Sequence, residues 1–122
     1  QGSFAEAEKL LPKALEITQQ ARHWFFELTT RLPLTELSIL TNGLDDAEGF
    51  ANRVVDMLEH PVEPGHENRR AEITALQAVI AKRRGLSSRA VALAKKARTI
   101  IGGADQEVQN QFAEKWYFRE LP

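Results

Sequence analysis

Apolar residues recur along most of this chain at intervals of three and four, the period of a helix that buries one face. After Asn68 the spacing is carried by Ala71, Ile73, Ala75, Leu76, Ala78, Val79 and Ile80, up to Lys82-Arg83-Arg84. Gly85 follows these cations as a stop should. The cations oppose the negative end of the helix dipole, and glycine accepts a left-handed conformation. Ser87 or Ser88 is the expected cap of the next helix. Its stripe is Ala90, Leu93, Ala94, Ala97, Ile100 and Ile101, and Gly102-Gly103 ends it. A last helix is predicted from about Asp105 to Arg119, burying Val108, Phe112, Trp116 and Tyr117.

The first half is less regular. Phe4 to Ile17 reads as a helix despite Pro12, which should kink it or start a new one. A second candidate, separate from the first or continuous with it, runs from Ala21 to Leu32 and ends at Pro33; a short one from Leu34 to Leu40 ends at Asn42-Gly43. Residues 46–59 form another, with Ala47, Phe50, Ala51, Val54, Val55 and Leu58 inward. Two prolines and a glycine in His60-Pro61-Val62-Glu63-Pro64-Gly65 forbid a continuing helix there. No convincing period-two alternation occurs, so the expected fold class is all-α, with six or seven helices and short connections.

Composition narrows the function classes. With 16 alanines the chain favours helix by propensity, and 122 residues support one domain. The absence of cysteine excludes a disulfide framework, a thiolate nucleophile and any zinc site that needs sulfur. Hydrophobic residues, at 43%, are too many for a disordered segment. No apolar run approaches the ~20 residues that cross a bilayer, and the start is not a signal peptide, so a cytoplasmic location away from membranes is expected.

Part of the pattern repeats. Gly2, Ala7 and Ala14 share their spacing with Gly85, Ala90 and Ala97, and at the same offset Leu10 matches Leu93, Lys13 matches Lys96 and Ile17 matches Ile100. Gly43, near the midpoint, precedes a helix in which Ala47, Phe50 and Val54 come into phase after a one-residue slip. Small residues seven apart stay near one helix face and let a neighbouring helix approach closely. At these residues the chain resembles a tetratricopeptide-like repeat, nearest to the longer repeats in the helical domain of maltose-activator-type LuxR-family regulators. Arg70-Ala71-Glu72-Ile73 through Leu76, Ala78, Gly85, Arg89-Ala90, Leu93-Ala94 and Ala97 looks like one unit. Gly2-Ser3-Phe4-Ala5-Glu6-Ala7 through Lys13-Ala14-Leu15 looks like the second helix of an earlier unit. The Trp-x2-Leu-Gly-x2-Tyr signature is absent. The resemblance implies antiparallel hairpins stacked as a right-handed repeat over residues 1–122, as a segment of a larger protein. It also implies a non-catalytic module for protein–protein interaction or oligomerisation, in the sensor part of a bacterial transcriptional regulator. The alternative is an irregular helical bundle that Gly and Ala merely punctuate.

Candidate chemistry is sparse. His60, Glu63, His66 and Glu67 are competent metal ligands, but their spacing matches no zinc motif such as two His one helical turn apart, so neither metal nor cofactor is expected. His23, next to Trp24, has no serine or cysteine partner in view, and no catalytic residues are assigned. Charge is uneven: residues 1–66 carry −6, residues 67–98 carry +7 and residues 99–122 carry −2. A nucleic-acid surface built from Arg69, Arg70, Lys82, Arg83, Arg84, Arg89, Lys95 and Lys96 is therefore an alternative function. These cations point several ways on a helical wheel, without aromatics for stacking bases, and contacts with the acidic first half suit them better. Trp24-Phe25-Phe26 and Trp116-Tyr117-Phe118 are each consecutive, so no helix can bury all three against one neighbour. These six aromatics are the candidate surface for a protein partner or a second copy.

Overall fold

The computed structural model describes the backbone of residues 2–61 and 65–122, with side chains at 13, 15–17, 19–61 and 65–122. Its helices are α1 (Gly2–Leu40), α2 (Leu44–Glu59), α3 (Glu67–Arg83), α4 (Ser87–Gly102), α5 (Gln106–Ala113) and α6 (Trp116–Arg119). The fold class is all-α. Helices α1 and α2 form one hairpin and α3 and α4 a second, with α3 lodged mainly against α2 and more lightly against α1. The short α5 touches α4, and α6 returns to α3.

Physical causes for these boundaries lie in the turns. Asn42 sits at φ +63°, its N–H donates to the Ile39 carbonyl, and the Gly43 N–H donates to the Ser38 carbonyl at 2.7 Å. Gly85, at φ +79°, donates to Lys82, and Leu86 donates to Ala81. Both ends are left-handed caps that satisfy the last orphan carbonyls of α1 and α3. Asp105 caps α5, its carboxylate accepting from the Val108 N–H at 3.0 Å. The expected serine cap of α4 is not made: Leu86 holds that position, with no side-chain hydrogen bond.

Helix α3 is the centre of the core. Ala71, Ile73, Thr74, Ala75, Leu76, Ala78, Val79, Ile80 and Ala81 are all buried, as a helix surrounded on most sides requires. Ala90, Ala94 and Ala97 of α4 are buried, which brings that helix close to its neighbour. Ala47, Ala51, Val54, Met57 and Leu58 of α2 face inward, and Leu28, Leu32, Thr35 and Ile39 of α1 complete the layer.

Three expectations fail. The stretches 4–17, 21–32 and 34–40 are one helix of 39 residues, running through positions 12 and 33. Pro33 is exposed, while Leu28, Leu32 and Ile39 on either side are buried. A proline inside a helix costs about 3 kcal/mol. Burying those three aliphatic side chains contributes about 1.5–3 kcal/mol each, so packing keeps the helix intact. The predicted last helix, in turn, is two: α5 stops at Ala113, and Lys115 is extended before α6. The matched stretches 4–17 and 87–102 also occupy different places. The first lies in α1, the leading arm of its hairpin, and the second is the trailing arm of the other.

Candidate interaction surface

The continuous α1 brings together residues that look unrelated when it is read as three pieces. Leu15, Phe26 and Leu37 stand eleven residues apart, three helical turns, so they project from one side. They are 60%, 72% and 56% exposed, and Leu40, 59% exposed, extends the row. Arg22 and Pro33 lie between them on the same side, both exposed. This stripe is opposite the buried residues Leu28, Thr35 and Ile39. It spans about 38 Å at 1.5 Å per residue. Isolated exposed apolar residues are ordinary, whereas a straight row of them marks a place for a partner.

The first aromatic cluster divides. Trp24 is 8% exposed and lies edge-on to His66, with ring centroids 4.8 Å apart. It belongs to the core and not to a surface. Phe25 is partly exposed, with the Arg69 guanidinium over its ring at 5.3 Å from the centroid. Phe26 alone of the three projects fully outward.

The second cluster is an internal clasp. Tyr117 is 1% exposed, and its ring meets those of Trp116 and Phe118 at 5.6 and 5.8 Å; Phe118 also meets Phe112 at 5.2 Å. The half-buried Trp116 donates its Nε1–H to Glu36 Oε1 of α1 at 2.9 Å. Burial pushes the Tyr117 hydroxyl far above its ordinary pKa, and the nearby Glu72 and Glu36 carboxylates add to the shift. Glu72 is itself raised, by burial first and then by Glu36, with Lys115 and Arg69 opposing. Tyr117 is therefore no docking residue, and Trp116 and Phe118 are largely engaged within the chain.

The eight basic candidates mostly serve the fold. Arg70 donates to the Leu58 carbonyl at 2.7 Å and meets Glu67 at 3.7 Å. Lys82 donates to the Glu120 carbonyl at 2.8 Å. Arg83 donates to the Ile39 carbonyl at 2.9 Å and to the Glu120 carboxylate at 2.8 Å. Arg84 pairs with Asp45 and, at 3.2 Å, with Glu48 at the acidic start of α2. Arg69 covers Phe25, which leaves Arg89, Lys95 and Lys96 exposed along α4. Elsewhere, Arg53 ties α2 to Glu27 of α1 at 2.6 Å. That hydrogen bond holds the Glu27 carboxyl below its ordinary pKa, against the opposing effect of burial.

His60 lies 3.3 Å from the Asp56 carbonyl and His66 is against Trp24, while Glu63 lies outside the described residues. Among the described residues no group of three potential ligands converges. Among the described residues two partly enclosed clefts are small, about 20 Å³ between Glu48, Gln77 and Arg89 and about 40 Å³ between Leu58, Ile73 and Lys96, and larger hollows at Gly85–Arg89 and beside Trp24 are open to solvent. Each of the two clefts has room for a water and not for a metabolite. No helix among the described residues is long and apolar enough to cross a membrane.

Comparison with known proteins adds no relative: no family model, no curated protein and no solved structure matches the chain.

Leu15, Leu37 and Leu40 are the surface residues that sequence reasoning missed. The eleven-residue spacing of Leu15, Phe26 and Leu37 is in the sequence, but it becomes a face only once the helix is known to continue past Pro33.

Proposed function

We propose that this chain is a non-catalytic helical-repeat module for protein–protein interaction, whose docking face is the outer side of α1. The observation that carries this is the straight row Leu15, Phe26, Leu37 and Leu40, exposed along α1, whose opposite side is buried from Trp24 to Ile39. The occupant that suits such a row is a second helix, stacked on α1 as α3 stacks on the first hairpin. It is supplied by a second copy of the chain. The hairpin-on-hairpin order agrees with a tetratricopeptide-like array, and the resemblance of residues 70–98 supports a place in the sensor part of a bacterial regulator. The nucleic-acid alternative has less support, because Arg70 and the exposed Lys82, Arg83 and Arg84 each bond to another part of the chain.

Light scattering tests the reading. The chain should associate as its concentration rises, and Phe26→Asp with Leu37→Asp should weaken that association at least tenfold while leaving the helical signal unchanged. A chain that stays strictly monomeric at millimolar concentration overturns it, as does association indifferent to both substitutions.

A further inference from the structure

Residues 115–122 are held by the rest of the chain in an unusual way. Tyr117 and Leu121 are buried, and four polar anchors surround them. Trp116 donates to Glu36 at 2.9 Å, Lys82 to the Glu120 carbonyl at 2.8 Å, Arg83 to the Glu120 carboxylate at 2.8 Å, and Arg98 to the Pro122 carbonyl at 2.8 Å. Every one of these partners lies before residue 103, on α1, α3 or α4. The strap between, α5, buries no residue. It leaves α4 through Gly102-Gly103-Ala104, where the Gly103 and Ala104 N–H groups are held by Ile100 and Ile101 and the Ala104 carbonyl accepts from the Gln109 side chain. The arm is thus recognised at its far end by buried and polar contacts, and joined to α4 by a short turn with two main-chain hydrogen bonds.

We propose that this arm exchanges between two copies of the chain. The seat formed by Glu36, Lys82, Arg83 and Arg98 would receive residues 115–122 of a second copy, and the first copy's arm would fill the second copy's seat. The exchange is a two-fold, self-complementary arrangement that keeps every arm contact and changes only which chain supplies it. Phe112 travels with the arm, so its contact with Phe118 survives too. What is given up is the turn at 103–105, with its two main-chain hydrogen bonds. The second copy is the occupant because the seat is already shaped, charged and hydrogen-bonded for this segment. The inference concerns a surface separate from the outer face of α1 and does not depend on it.

The absence of cysteine makes the test clean. One chain carries Arg83→Cys and another, with a different tag, carries Glu120→Cys. The two are unfolded and refolded together at several concentrations and then treated with a short bismaleimide. A crosslink between the two chains is expected, rising with concentration, and at least tenfold stronger than when the native proteins are mixed for minutes. Deleting Gly103-Ala104, which denies the arm its return path, should shift the chain from monomer to dimer. If Arg83→Cys fails to fold, Lys82→Cys replaces it. The proposal is overturned if co-refolded chains never crosslink to each other while the double-cysteine chain crosslinks within itself. It is equally overturned if the inter-chain crosslink disappears in the Phe26→Asp, Leu37→Asp background, since the proximity then comes from α1. A dimer lacking the crosslink but sensitive to those two substitutions sinks arm exchange and leaves the proposed function standing.

Discussion

Pro33 shows how a single residue's cost can be outvoted locally. It lacks the N–H that the Thr29 carbonyl needs, yet it stands on the solvent side, where water can serve that carbonyl. Replacing it with alanine restores the helical bond. The gain is offset in part by the ~0.4–1 kcal/mol that proline contributes by restricting the unfolded chain. Pro33→Ala should therefore raise stability by about 2–2.6 kcal/mol in urea unfolding, and a loss of stability would show that the ring itself is needed. Glu72 makes a second residue-scale prediction. Burial beside Glu36 and Tyr117 raises its carboxyl pKa, despite Lys115 and Arg69, so the folded chain binds this proton more tightly than the unfolded one. Its contribution is present below the ordinary carboxyl value and lost as pH rises through the folded value. Glu27, lowered by Arg53, behaves oppositely and loses its contribution as pH falls. Glu72→Gln should thus gain in melting temperature over the unaltered chain as pH goes from about 4 to 7. A constant difference across that range would refute the assignment.

Among the elements, α2, α3 and α4 were legible in the sequence because each carries its own start, stripe and stop. The stop at Gly85 needed only the rule that glycine tolerates positive φ, and the structure has it at +79°. The alanine stripe of α4 packs as its spacing implies, with Ala90, Ala94 and Ala97 buried. Ala90→Leu or Ala97→Leu should each overpack that crossing and cost about 1–3 kcal/mol, read from thermal unfolding. Unchanged midpoints for both would mean that α4 is not held closely. The continuity of α1 was not legible. Local rules say that Pro33 ends a helix, and the packing of Leu28, Leu32 and Ile39 that overrides them is a tertiary fact.

For the whole molecule, the uneven charge becomes a means of assembly. Arg84 reaches the acidic start of α2, Arg83 reaches the end of α1, and Lys82 and Arg83 clip the arm, so the basic stretch holds the acidic ones in place. The arm supplies one of the largest buried side chains, and Tyr117→Ala should cost about 3–5 kcal/mol in chemical unfolding. A cost near zero would mean that α6 is not part of the core. The outer row of α1 predicts the reverse: Phe26→Asp should change stability by less than about 0.5 kcal/mol, because its side chain is already in water.

The candidate site was half legible for the same reason. Consecutive aromatics announce that something must face outward, and Phe26 does. Which of Trp24, Phe25 and Phe26 is buried depends on where α3 and His66 arrive, and no local spacing encodes that. Sequence alone determined the helical class, the punctuation at Asn42 and Gly85 and the inward faces of the later helices, because these follow from backbone sterics and from a period that apolar residues keep with themselves. Only the tertiary structure decided that α1 is unbroken, that Tyr117 is core and that Arg70, Lys82, Arg83 and Arg84 bond to other parts of the chain. Each of these balances a local cost against contacts between residues far apart in the chain.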